Sequence, residues 1–150
     1  MKVFLNGFSR MIFLLCLLVG VASIPLQSSF AQSETVIGSA ENNGIKLIIN
    51  NYTITNRGQE MVVYYTIQSK SRHQMDENAK GLMDNPVISI GDNLVQGNHT
   101  WHKKINNQTY QGAVKVNLPQ YIPATSNVAF NTNAILHQKG EWTINFQIKK

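Results

Sequence analysis

The residues best suited to chemistry sit close together in the second half of the chain. His99 and His102 lie three apart with Trp101 between them, and Asp92 stands seven residues upstream of His99. Neutral imidazoles are zinc ligands, and a carboxylate is a common third. The spacing works against this set. On a strand, residues i and i+3 point to opposite faces, so a loop or helical turn is needed to converge them. No glutamate stands between the histidines as in the helical zinc-protease motif, and the only cysteine is Cys16. The expectation is therefore no metal and no cofactor, with His99, His102 and Asp92 as the residues to inspect.

Other groupings point to other chemistry. Asp76, Glu77, Asp84 and Asp92, with Asn78, Asn85 and Asn93, are oxygen-rich. Calcium takes such ligands, but their spacing is not that of an Asp-x-Asp-x-Asp-Gly loop. Glu60 and Glu141 are the pair to consider for glycoside hydrolysis. Both fall at strand starts beside turns, where carboxylates are ordinarily solvated. No Gly-x-Ser-x-Gly elbow is present. The chain reads as non-enzymatic. For binding, Trp101 and Tyr110 supply ring faces and Lys103 and Lys104 supply charge beside them. Tyr52, Tyr64 and Tyr121 are further stacking candidates, and many Asn and Gln side chains can bond sugar hydroxyls.

The elements that position these residues are strands. After residue 40 the apolar residues recur with period two, in short runs separated by Asn, Gly, Asp and Pro. Residues 44–55 alternate through Ile45, Leu47 and Ile49, then slip at Asn50-Asn51, which marks a bulge or a turn. Residues 60–69 carry Met61, Val63, Tyr65 and Ile67 on one face and Val62 and Tyr64 on the other, the pattern of a central strand. Residues 87–91, 110–118, 128–136 and 140–149 repeat the alternation, the last through Trp142, Ile144, Phe146 and Ile148. Residues 35–40 are a candidate edge strand. Residues 70–86 read as irregular, with a helical turn around 77–83, and residues 92–108 as a polar stretch anchored by Trp101 and Ile105. About seven strands with almost no helix predict an all-β, immunoglobulin-like antiparallel sandwich; a small barrel is the alternative.

The N-terminal segment is of another kind. Lys2 and Arg10 precede the apolar run 11–22 (MIFLLCLLVGVA), Pro25 breaks it, and Ser-Phe-Ala ends at residue 31. That order is the pattern of a secretory signal peptide. The run is shorter than the roughly 20 residues a spanning helix needs, so cleavage after Ala31 is expected, and a membrane would be met only through an uncleaved leader. The domains are then residues 1–31, a signal peptide helix, and residues 32–150. The exported part lacks cysteine and folds without a disulfide. Losing Lys2 and Arg10 reduces 13 basic residues to 11 against 8 acids, a net charge of +3. Nucleic-acid binding calls for a denser basic stripe than this. The cysteine-free composition suits a Gram-positive envelope.

The order of the runs resembles an extracytoplasmic immunoglobulin-like domain of unknown function found on Gram-positive anti-sigma-factor-like proteins. The likeness is carried by residues 41–47 (ENNGIKL), 61–69 (MVVYYTIQS) and 87–92 (VISIGD). It continues in Tyr110-Gln111-Gly112 before Val114 and Val116, in Leu118-Pro119, and in Gly140-Glu141-Trp142 before Ile144, Phe146 and Ile148. It covers most of residues 37–150 and implies an exported sandwich with no catalytic residues to carry over. Only ten residues precede the apolar run, which leaves no cytoplasmic part to hold a sigma factor. The chain also resembles the telokin-like exported domain of bacterial lipoproteins, through Ile37-Gly38 and Asn43-Gly44-Ile45, and both likenesses stand.

The functional expectation is a secreted or envelope-associated binding module, engaging a protein or wall polymer at the cell surface. A carbohydrate-binding role is the alternative and a small metal-dependent secreted enzyme the more distant one. An uncovered edge strand, at residues 35–40 or at the C terminus, would instead suit completion of another protein's sheet.

Overall fold

The computed structural model describes residues 36–70 and 81–150. The chain divides into two units, Met1–Ser33 and Glu34–Lys150. The expected signal peptide and Asp76, Glu77 and Asn78 of the oxygen-rich set lie outside the described residues. No helix among the described residues is long and apolar enough to cross a membrane.

Among the described residues, nine strands form two antiparallel sheets, an immunoglobulin-like β-sandwich. They are β1 (Gly38–Asn42), β2 (Ile45–Thr55), β3 (Glu60–Ser69), β4 (Val87–Ile90), β5 (Asn93–Gln96), β6 (Asn98–Asn106), β7 (Thr109–Asn117), β8 (Thr125–Ile135) and β9 (Gln138–Lys149). One sheet has the order β1-β2-β3-β7-β6 and the other β5-β4-β8-β9. The period-two runs fall where the alternation puts them. In β9, Trp142, Ile144, Phe146 and Ile148 are buried while every residue between them is exposed. The Asn50-Asn51 slip is a bulge: β2 continues through it, its register against β3 shifting between Ile49 and Asn51. The Asn50 amide donates to Thr66 Oγ1 at 2.8 Å.

The core lies between the sheets. One sheet contributes Ile45, Leu47, Ile49, Met61, Val63, Tyr65 and Ile67, and the other Ile88, Ile90, Phe130, Trp142 and Ile144, all buried. Each such side chain contributes roughly 1.5–3 kcal/mol by leaving water. The sheets are also joined by polar bonds. Asn42 Nδ2 of β1 donates to the Glu141 carbonyl of β9 at 3.2 Å, and Asn43 Nδ2 to the Lys139 carbonyl at 3.0 Å.

Two expectations are corrected. Residues 92–108 are not an anchored polar stretch. They form β5 and β6, which brings the strands among the described residues to nine, and neither Trp101 nor Ile105 is an anchor: they are 42% and 47% exposed. The inward positions of β6 are the polar His99, His102 and Lys104, and two register shifts break its period, so its sequence carries a weak strand signal. Of the supposed helical turn at 77–83, the described residues 81–83 include no helix. Met83 instead bridges Ile135, and Leu82 is buried.

Candidate functional site

β6 carries most of the side chains singled out by chemistry, and two bulges decide where they point. Its register against β7 shifts between His99 and Trp101 and again between Lys104 and Asn106. Each shift inserts one residue and reverses the alternation beyond it. Thr100 is the first inserted residue, and its hydroxyl donates to the Ala113 carbonyl at 3.1 Å. His99 lies opposite Val114 and His102 opposite Gly112, both on the inner face of β7, so the histidines share one face despite their spacing.

The zinc trio does not assemble. Asp92 lies in the β4–β5 turn beside Asn127, where the Gly91 amide donates to the Asn127 carbonyl, whereas His99 Nε2 meets the Met83 carbonyl at 2.8 Å, opposite Ile135. Eight residues of β8 separate those positions, roughly 25 Å at strand rise. Asp84 is the carboxylate whose charge reaches His99. No group of three His, Cys, Asp or Glu side chains among the described residues is placed to hold a metal.

His99 is a strut. Its Nε2 bonds the Met83 carbonyl, which fixes the ring and leaves Nδ1 buried without a partner. Desolvation is the main cause that holds its pKa below the ordinary histidine value, and His102 adds to it. The Met83 bond and Asp84 oppose the shift. The Tyr65 hydroxyl is also buried without a partner, and burial raises its pKa. It projects over Gly112, where any Cβ would run into it.

The outer face of the same sheet is different. Asn51, Tyr64, Ala113 and Trp101 are successive register partners across β2, β3, β7 and β6. Ala113 faces outward yet has no exposed surface, while Trp101 is 42% exposed and Tyr64 partly so. Two strand spacings put the aromatic residues about 10 Å apart at Cα, with the small alanine between them. Lys103 shares this face opposite Gln111, and Lys115 pairs with Glu60 at 3.3 Å. The row is a shallow platform of two rings with amides and cations around it, suited to stacking against flat apolar ring faces.

The other candidates divide. Lys104 lies opposite Tyr110 on the inner side of β6, away from Trp101 and Lys103. Tyr110 is fully buried and cannot offer a stacking surface, which corrects that expectation. Its place in an alternating run pointed inward, and the inward side is where it lies. Glu60 and Glu141 stand on outward positions of different sheets and share no cleft. Tyr64 is the platform residue that the sequence marked only as one tyrosine among several. Its outward phase within β3 was legible, but its alignment with Trp101 was not.

Comparison with protein-family models, curated proteins and solved structures gives no match to this chain.

Proposed function

We propose that this chain is a non-catalytic binding module, exported to a bacterial cell envelope, that engages a carbohydrate or cell-wall polymer through the outer face of its five-stranded sheet. One observation carries the reading: the Tyr64–Ala113–Trp101 row, in which an indole 42% exposed stands at the sheet edge beside a covered alanine. Trp142, the other tryptophan, is 0% exposed, so Trp101 keeps far more of its surface open to solvent. Export rests on the signal pattern of residues 1–31, and envelope association on the resemblance to extracytoplasmic immunoglobulin-like domains.

The test is co-sedimentation of the purified protein with isolated Gram-positive cell walls. Wild type is expected in the pellet, with its exposed-tryptophan fluorescence shifted. Trp101→Ala is expected in the supernatant with an unchanged melting temperature. Absence of wild-type sedimentation, or equal sedimentation of the variant, overturns the reading.

A further inference from the structure

The turn joining β2 to β3 has an unusual backbone. Asn56, Arg57 and Gly58 are all left-handed, with φ of 51°, 55° and 82°. Glycine adopts this region freely and asparagine tolerates it, but an arginine is sterically disfavoured there. Such strain concentrates where a side chain must be presented in one place.

That place is a cleft of about 450 Å³ at the end of the sandwich, between this turn, the residues following β7 and the C-terminal Lys150. Its lining includes Arg57 and Lys150 as cations and Asn56, Gln59, Asn117 and Gln120 as amides, and it contains no Asp or Glu. The Lys150 side chain crosses directly over Gly58, where a Cβ would collide with it. Neither cation has an ion-pair partner among the described residues; the two pairs there are Lys70–Glu41 and Lys115–Glu60. The carboxylate on Lys150 itself is the anion within this lining; it pairs with neither side-chain cation, so the cleft keeps a net positive charge, with the Arg57 guanidinium free to bind an oxyanion through two parallel hydrogen bonds.

We infer that this cleft binds the phosphate or carboxylate group of an anionic sugar polymer. The inference rests on the outer-face reading for the sugar part of that ligand. Four residues of β3 separate Tyr64 from Glu60 at the cleft's margin, about 13 Å along the strand. A chain stacked on the aromatic row and running along β3 and β7 passes Lys115 and reaches Arg57. The ligand class is thereby narrowed from any glycan to one with anionic groups spaced along it.

The experiment is an amide-resolved NMR titration of the purified protein with inorganic phosphate and, separately, with glucuronate, at constant ionic strength set by chloride. Saturable shifts confined to residues 56–59 and 117–120 are expected with at least one of the anions. The stronger one tells phosphodiester from uronate polymers. Arg57→Gly is expected to weaken that binding at least tenfold while its melting temperature holds or rises, because glycine suits the left-handed position. Lys150→Gln is expected to weaken binding in the same direction. No saturable shift with either anion, or wild-type affinity in Arg57→Gly, overturns the inference. Wall sedimentation separates the two readings. If Trp101→Ala abolishes it and Arg57→Gly leaves it intact, the cleft inference falls and the outer-face reading stands. If phosphate or glucuronate binding persists while Trp101→Ala still sediments, the outer-face reading falls and the cleft stands.

Discussion

Trp142 of β9 donates its Nε1 proton to the carbonyl of Ile45 in β2 at 2.9 Å, across the interior and 97 residues away in sequence. The largest fully buried side chain thus fixes the distance between the sheets as well as filling it. Trp142→Phe removes the donor and part of the volume. The expected loss is about 2 kcal/mol or more, from the missing hydrogen bond and the cavity together. It is read as a lower urea midpoint with an unchanged slope.

Gly112 allows the Tyr65 ring to lie across β7. A Cβ there meets the Tyr65 hydroxyl and comes within 2.9 Å of the Trp101 carbonyl. Gly112→Ala is expected to cost roughly 1–3 kcal/mol as overpacking. Tyr65→Phe removes a buried hydroxyl with no partner, so it is neutral or stabilising. In the double variant the alanine is expected to cost less than it does alone, by at least about 0.5 kcal/mol. Strict additivity in denaturant titrations would mean the two groups do not meet.

His99 makes stability depend on pH with a definite sign. Its folded pKa lies below the ordinary histidine value of 6.5, chiefly through desolvation. As pH falls below that value, the unfolded chain takes up a proton that the folded chain refuses. Stability is therefore present above the unfolded pKa and lost as pH falls towards the folded one. Thermal unfolding measured from pH 7.5 to 5 is expected to show a falling melting temperature in wild type and a flatter profile in His99→Gln.

The β8–β9 turn holds Leu136 and His137 at φ of 51° and 64°, neither of them glycine. His137 is exposed and Leu136 packs against the core. His137→Gly is expected to stabilise by up to about 1 kcal/mol, because the relief of left-handed strain is partly offset by the greater freedom of an unfolded glycine. Leu136→Gly is expected to destabilise, because it forfeits packing. Melting temperatures moving in opposite directions would bear this out.

The sheets were legible where burial imposed alternation. Met61, Val63, Tyr65 and Ile67, and Trp142 through Ile148, announced their inward faces because a strand's period is two and one face had to be dry. β6 was not legible. Its inward residues before the second bulge are His99, His102 and Lys104, which give no apolar signal at a sheet edge. The Thr100 bulge also reversed the parity on which the separation of the two histidines had been argued.

The sequence by itself determined the all-β class, most of the strands and the inward residues. Each of these follows from local periodicity or composition. Only the tertiary structure decided which residues meet. It brought Tyr64 beside Trp101 through two strand pairings, and laid Lys150 over Gly58 at the far end of the chain. It also buried Tyr110 while leaving Trp101 exposed. Strand order, register and bulges are set by pairing between distant segments, and no local pattern encodes them.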